Sequence, residues 1–215
     1  MRFSDRAHYC NSWVALGLAT EHHGVMTDNP ASTVDETTFS VRRTITIAAP
    51  IESVWAAVTE AQHISKWFGE AGLQGSGVGA LGTLSWDDYG TIPIRVEAMD
   101  APTLVSYRWG NDDASGVLAD QIDDDHSTVF TFTLEPIETG TRLTVVETGF
   151  ETTSDPIANL ESHREGWVFE LDELVALLGL DRYAHTPTSV LSTGTRRIVE
   201  LACLLAEDPV LMLLD

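Results

Sequence analysis

Cationic residues are scarce in this sequence. It contains 12 Lys and Arg against 33 Asp and Glu, which gives a formal net charge of −21 at pH 7. A field of this sign repels polyanions, so neither nucleic acid nor an anionic membrane surface is an expected partner. A hydrated acidic surface explains the composition without any specific function.

Cysteine is nearly absent, and long apolar runs are missing. Cys10 and Cys203 lie far apart, so the sequence predicts no disulfide framework and favours a reducing cytoplasm. No run approaches the roughly 20 apolar residues that cross a bilayer. The apolar stretch at residues 13–19 is too short for a membrane helix and makes a poor signal peptide. We therefore predict no membrane span.

Motifs that carry chemistry are also missing. The sequence has no Cys-x-x-Cys or His-x-x-x-His spacing for a metal and no Gly-x-Ser-x-Gly for a nucleophile. The glycine-rich residues 72–79 lack the Gly-Lys-Ser/Thr ending of a phosphate loop. They are interpreted as a plain flexible loop, with a cavity lid as an alternative. No catalytic residue, metal or cofactor is predicted.

Three segments are predicted along the chain. Residues 1–39 form a leader and a flexible arm, which are predicted to be disordered. Within the leader, residues 1–25 lack periodicity, and Met26 opens a stretch that resembles an ordinary protein start. The leader is therefore interpreted as a start-site artefact. Residues 40–182 are predicted to form one α+β domain, and residues 183–215 a linker with a further fragment.

Apolar patterns organise the predicted domain. Alternation at residues 41–48 predicts a strand, and helical spacing at residues 51–58 and 61–68 predicts two short helices. Further strands, separated by turn signals, are predicted at residues 82–86, 91–99, 103–109, 128–136 and 141–148. The loop at residues 111–127 is long and acidic, and a short extra strand near residues 116–119 stays open.

A long helix is predicted to close the domain. Asp155 suits its N-cap, Pro156 its first position, and Gly179 its C-terminal stop. An apolar stripe with steps of three or four residues is formed by Leu160, His163, Trp167, Leu171, Leu174 and Leu178. A curved antiparallel sheet with one apolar face needs a cover, and this helix supplies it. Where large aromatic side chains hold helix and sheet apart, a cavity can remain.

Four stretches carry a family resemblance. They are ITIAAPIESVW at residues 45–55, HISKWF at 63–68, VVETGF at 145–150 and HREGW at 163–167. In their order and spacing, residues 41–178 resemble the START-like (SRPBCC) helix-grip superfamily. Within it they resemble the group similar to the C-terminal domain of activators of the 90-kDa heat-shock protein ATPase.

That resemblance implies a fold and a kind of ligand. The fold is a curved antiparallel sheet wrapped on a long C-terminal helix, with a cavity between them for apolar or amphipathic small molecules. It implies no set of catalytic residues. The chaperone-stimulating role belongs to the eukaryotic relatives and rests partly on another domain, so a chaperone partner stays open.

Eight side chains are candidates for lining the cavity. They are Trp67, Phe68, Trp86, Tyr107, Trp109, Glu147, His163 and Trp167. Glu147 shares a strand face with apolar residues and is expected to point inward. There it would anchor a ligand. Alternatively, it is an edge carboxylate or pairs with Arg164 or Arg95. His163 is either a ligand-binding or general-base histidine or a hydrogen-bonded core residue. The aromatic residues are either core or binding platform.

The end of the chain carries a second resemblance. LSTGT at residues 191–195 and VLMLLD at 210–215 resemble the signature motif and Walker B strand of an ABC-transporter ATPase, over residues 188–215. In a complete ATPase the resemblance implies that Ser192 and Gly194 approach a γ-phosphate and that Asp215 supports Mg²⁺. No Walker A motif occurs, so this segment is interpreted as a truncation, a fusion or a chimera.

Three functions therefore stay open. The first is non-catalytic binding of a hydrophobic small molecule by the helix-grip domain. A second is that of an ABC importer ATP-binding subunit, with a transporter partner and with ATP bound only if missing sequence completes the site. The third is a small enzyme that acts on an apolar substrate and uses Glu147 or His163 as acid or base.

Overall fold

A computed structural model describes residues 29–87 and 89–181. Within these ranges the strands are β1 (Thr33–Asp35), β2 (Ser40–Ile47), β3 (Glu70–Gln74), β4 (Leu81–Trp86), β5 (Gly90–Asp100), β6 (Leu104–Trp109), β7 (Thr128–Ile137) and β8 (Gly140–Thr148). The α-helices are α1 (Ile51–Thr59), α2 (Ala61–Ile64) and α3 (Pro156–Asp181). Short 3-10 turns lie at Asp113–Ser115 and Phe150–Thr152.

All the described strands join one antiparallel sheet. Its order is β1-β2-β8-β7-β6-β5-β4-β3, so β2 pairs with β8, the last of the described strands, and β1 and β3 form the edges. The long helix α3 covers one face of this sheet. The predicted α+β helix-grip class is confirmed.

Alternation along β2 and β8 decides which face is buried. Every second residue of β2, from Val41 to Ile47, is at most 2% exposed. On β8, Leu143, Val145 and Glu147 are completely buried. Antiparallel pairing sets Val41 opposite Glu147, so the inward strand face predicted for the glutamate is confirmed.

The helix α3 follows its predicted stripe but not its predicted end. Asp155 Oδ1 accepts the backbone N–H of Ala158 at 3.1 Å, which is the expected N-cap contact. All six stripe residues are at most 3% exposed. The helix continues past Gly179 to Asp181, so the predicted stop is wrong. Glycine inside a helix costs only about 1 kcal/mol relative to alanine, which does not by itself end a helix.

Two segments interpreted as flexible contain edge strands. Residues 33–35 pair with β2, although the whole arm before residue 40 was expected to be disordered. The strand β3 (Glu70–Gln74), which pairs with β4, overlaps the first residues of the glycine-rich segment 72–79. The turn that follows is formed by glycines with positive φ, namely Gly75, Gly77 and Gly79. Loop residues 111–127, all described, contain no strand, so the alternative strand near residues 116–119 is wrong.

Arg43 is a buried cation on β2 that holds α3 against the sheet. Its guanidinium donates to the backbone carbonyls of Trp167 at 3.0 Å and Val168 at 2.7 Å. It also donates to the carboxylate of Asp172 at 2.6 Å and to the carbonyl of Pro30 at 3.0 Å. One side chain therefore joins the arm, the sheet and the middle of the helix.

Some predictions fall on residues outside the described ranges. They are the leader, the start at Met26 and the ABC-like segment with Ser192, Gly194 and Asp215. The domain limits at residues 40 and 182 also stay predictions. Within the ranges that are described, no helix combines the length and the apolar character needed to cross a bilayer.

Candidate functional site

The eight candidate residues lie close together in the interior, on the face of the sheet that the helices cover. Each is at most 8% exposed. Ring centroids are close throughout the group, as for Phe68, which is 5.5 Å from Trp167 and 5.7 Å from Trp109. Such separations are direct ring contacts. In this structure the candidate side chains pack directly against one another. That they line a ligand cavity stays a prediction.

Three of the eight use their polar atoms to hold the helices. Trp67 Nε1 donates to the carbonyl of Ala57 at 2.9 Å, and Tyr107 donates to the adjacent carbonyl at 2.8 Å. Trp86 Nε1 donates to the carbonyl of Phe68. These contacts satisfy carbonyls at the end of α1 and after α2, which lack partners within their helices. Burial raises the pKa of the Tyr107 hydroxyl.

The remaining polar candidates meet at the carboxylate of Glu147. Its Oε1 accepts from Trp109 Nε1 at 2.8 Å and from Thr128 Oγ1 at 2.5 Å. Its Oε2 accepts from Trp167 Nε1 at 2.7 Å. His163 Nδ1 lies 3.0 Å from both oxygens. Residues from β6, β7 and α3 thus converge on one buried carboxylate of β8.

Mutual attraction compensates for the burial of this pair. Burial alone raises the pKa of a carboxylate and lowers that of an imidazole. Against that effect, the charge of His163 and the hydrogen bonds hold the pKa of Glu147 below its usual 4.5. Likewise, despite burial, the charge of Glu147 and its hydrogen bond hold the pKa of His163 above its usual 6.5. Each group of the buried pair therefore favours the charged form of the other.

The pairing of Glu147 with Arg164 or Arg95, considered from the sequence, is wrong. Arg164 binds Glu161 one turn away on α3, at 2.5 Å. Arg95 binds Glu97 at 2.6 Å, with both side chains about one quarter exposed. Neither arginine is available to the buried carboxylate, whose charged partner is the histidine of the facing helix.

A second set of polar groups covers the other side of His163. Its Nε2 lies 3.4 Å from Asn111 Nδ2 and 3.9 Å from Asp113 Oδ2. The Tyr89 hydroxyl contacts Asn111 Oδ1 and lies 2.6 Å from Asp113 Oδ1. Ser162 donates to the same aspartate. Burial and the charge of Asp113 raise the pKa of Tyr89.

Asp112 fastens this loop to the start of α3. It accepts the backbone N–H of Ser154 at 2.8 Å, the hydroxyl of Ser154 at 2.7 Å and the amide of Asn159 at 2.8 Å. Partial burial opposes its ionisation, but the hydrogen bonds from Ser154 and Asn159 hold its pKa below the usual value. The loop that covers His163 is therefore held by the helix that carries it.

Sequence reasoning missed these covering residues. Asn111, Asp112 and Asp113 belong to an acidic loop without periodicity, which is typical of a solvated segment. Thr128 is completely buried but stands at the start of a strand, where a threonine is unremarkable. From the sequence pattern, only the inward direction of Glu147 and the stripe position of His163 could be predicted. Together these two predictions place two titratable groups at facing core positions.

The arrangement is suited to hold or move a proton. A carboxylate that orients one nitrogen of an imidazole is the geometry of an acid–base pair. Both side chains are completely buried, so a ligand reaches them only if neighbouring side chains move. Across the described part of the chain, no group of three or more His, Cys, Asp or Glu side chains is placed to hold a metal ion.

The pair predicts a pH window for stability. The lowered pKa of Glu147 stabilises the fold above pH 4.5, and this contribution is lost as the pH falls through the folded-state pKa. The raised pKa of His163 stabilises it below pH 6.5, and this contribution is lost as the pH rises through the folded-state pKa. The stability difference between wild type and His163→Gln should therefore be largest between these values, as measured by urea unfolding from pH 4 to 9. A difference independent of pH would contradict a charged pair.

One family model matches the chain. Residues 48–179 match the model described as "Activator of Hsp90 ATPase homolog 1-like protein". This range includes α1, Glu147, His163 and nearly all of α3. The comparison with curated proteins gave no match.

Solved structures share the fold. Protein MLL2253 from Mesorhizobium loti is 27% identical with a TM-score of 0.55, over 65% of this chain and 96% of that one. The Aha1 dimer from Colwellia psychrerythraea is 20% identical with a TM-score of 0.51, over 65% and 95%. DynU16, from the dynemicin biosynthetic locus, is 24% identical with a TM-score of 0.51, over 68% of this chain but 47% of DynU16. At these identities the last two likenesses concern the fold alone.

Proposed function

Because the chain belongs to the Activator of Hsp90 ATPase homolog 1-like family, we propose that its helix-grip domain binds a hydrophobic small molecule between α3 and the sheet. In this proposal the ligand is bound without being chemically changed. The apolar body of the ligand would replace contacts among the aromatic rings, and a polar group on it would face the Glu147–His163 pair. An apolar pocket with one or two polar groups that fix orientation is the usual form of such a site.

The observation that carries the proposal is the ion pair inside an aromatic cluster. Stability alone does not account for it, because replacing a buried ion pair by apolar residues of similar volume is often neutral or stabilising by about 1–4 kcal/mol. Buried titratable groups with shifted pKa values are concentrated at functional sites. Glu147 and His163 have both properties.

Phe68 is the ring that a ligand approaching the indoles of Trp109 and Trp167 would have to displace. It contacts Trp109 and Trp167, whose indoles donate to Glu147. It belongs to the short segment between α2 and the edge strand β3, which is held by neighbours on one side only. A shift of this segment would separate the ring from both indoles and open a path to the carboxylate.

Tryptophan indole signals provide the test. Full-length protein is titrated with Nile red, which is then displaced by a panel of neutral polycyclic aromatics, while ¹H–¹⁵N spectra follow the indoles. Saturable shifts are expected for Trp109 and Trp167, and the half-buried Trp55 on α1 serves as the internal control. Binding that leaves the first two signals unchanged would place the ligand elsewhere. No saturable binding by any member of the panel would refute the proposal.

One observation favours a second candidate, an acid–base enzyme for an apolar substrate. Glu147 holds Nδ1 of His163, which leaves Nε2 facing the side chains of Asn111 and Asp113. Once those side chains moved, Nε2 could exchange a proton with a substrate. Conversion of a panel compound by wild type, abolished in His163→Gln, would replace simple binding with this function.

The other hypotheses stay predictions. The ABC-importer alternative depends on residues 188–215, outside the described ranges, and ATP binding by the full-length chain would favour it. A cytoplasmic location rests on cysteine usage alone. A chaperone or transporter partner is likewise not supported by any described surface.

A further inference from the structure

A separate cavity of about 290 Å³ lies between α1, α2 and the last turns of α3. Its apolar walls are Ala56, Ala57, Leu177 and Leu178, and its polar walls are Glu52, Ser53, His63 and Lys66. None of the eight residues proposed to meet a hydrophobic ligand lines it. It therefore shares no lining residue with the Glu147 cluster.

Lys66 is the unusual member of this lining. It is the single lysine among 215 residues, and its side chain is exposed. Among the described arginines and lysine, ion pairs with described residues are formed by Arg43, Arg95, Arg108, Arg142 and Arg164. Arg42 and Lys66 form none. An ammonium without an ion pair to any described residue thus stands at the edge of an apolar-walled cavity, in a chain where carboxylates are abundant.

We infer that this cavity binds a small anionic amphiphile, a carboxylate with a short hydrocarbon chain. The carboxylate would contact Lys66, with His63 as a second donor, and the hydrocarbon would lie on Leu177 and Leu178. Glu52 fixes the orientation of the bound ligand. It lies in the first turn of α1, about 10 Å along the helix axis from the end that leads into α2. An anionic head at that end would be repelled.

The cavity volume sets the ligand size. Small-molecule sites begin at about 300 Å³, so a pocket of about 290 Å³ suits a small ligand. Octanoate is a ligand of that class. For a ligand of this size, a dissociation constant on the order of 1 mM or lower is expected.

Octanoate is the probe for the full-length chain, with octanol as the uncharged comparison. Octanoate should bind about tenfold more tightly, which is the usual strength of a hydrogen bond to a charged group. In Lys66→Gln its affinity should fall about tenfold, to the level of octanol. Arg42→Gln removes the other cation that lacks a described partner and should leave affinity unchanged. Calorimetry measures the dissociation constants of octanoate and octanol for wild type, and of octanoate for each of the two variants.

Two further experiments locate the site. Ala56→Met adds volume to the apolar wall and should abolish binding of both probes. Octanoate should shift the methyl signals of Leu177 and Leu178 and leave the indole signals of Trp109 and Trp167 unchanged, which separates this site from the one under the proposed function. Equal octanoate affinity in wild type and Lys66→Gln would overturn the inference, as would shifts confined to the indoles.

A membrane lipid could present the same chemistry as a free carboxylate. Vesicles of phosphatidylglycerol distinguish the two sources. With a formal charge of −21 the protein should be repelled by such vesicles and should not sediment with them. Sedimentation that is lost in Lys66→Gln would assign the site to a lipid headgroup and overturn the assignment to a free ligand.

Discussion

Replacing Glu147 with glutamine is expected to lower the free energy of unfolding by about 3–5 kcal/mol, the range found when one member of a buried ion pair is removed. The change keeps the shape of the side chain but removes its charge. His163 then loses its compensating carboxylate. The new amide also has one acceptor oxygen instead of two, so its N–H₂ must face a donor, either an indole of Trp109 or Trp167 or the imidazole. Urea unfolding near pH 6 measures the loss.

An exposed ion pair supplies the matched control. Glu135 binds Arg142 at 2.9 Å, with both side chains about half exposed, and Glu135→Gln should cost no more than about 1 kcal/mol. A double-mutant cycle that combines Glu147→Gln with His163→Gln should give a coupling energy of about 2 kcal/mol or more. If the two single losses simply add, or if Glu147→Gln costs no more than the control, the carboxylate and imidazole do not act as a charged pair.

Much of the fold could be predicted because burial on one face imposes a period. On β2 and β8 that period is two, and on α3 it is three or four residues, so the sequence indicated which side chains face the interior. The edge strands β1 and β3 are short, and the residues that alternate inward on them are only half-buried, so the period is hard to recognise in their sequences. Each pairs with only one neighbour, and β3 contains no fully buried residue, so its sequence resembles a loop.

The candidate site was predictable in part for the same reason. Glu147 and His163 occupy core positions of two elements expected to pack together, which is enough to bring them close. Their covering residues come from a loop, and the position of a loop depends on contacts such as those of Asp112 with Ser154 and Asn159. Such contacts leave no periodic signal. Whether an aromatic residue is core or binding platform also depends on movement, which composition does not encode.

Replacing Trp167 with alanine is expected to cost about 3–5 kcal/mol, as for other buried large aromatic residues. The side chain is completely buried and contacts Phe68 and Phe130, with centroids 5.5 and 5.2 Å away. Its loss also removes one of the N–H groups that contact Glu147 Oε2. Thermal unfolding should show a lower midpoint than wild type, whereas Trp55→Ala, at a half-buried position on α1, should show a much smaller change.

Added indole should restore part of the lost stability in Trp167→Ala, because a ligand that binds only the folded state stabilises it by an amount that grows with its concentration above Kd. Benzofuran has the same shape but no N–H to donate to Glu147, so it should raise the unfolding midpoint less than indole. Wild type and Trp55→Ala, which keep the ring of Trp167 in place, should respond to both compounds less than Trp167→Ala does. An equal response to both would show that the hydrogen bond adds nothing. Failure of both would mean that the interior collapses when the ring is removed, and a space that cannot hold a foreign ring there could not hold the proposed ligand.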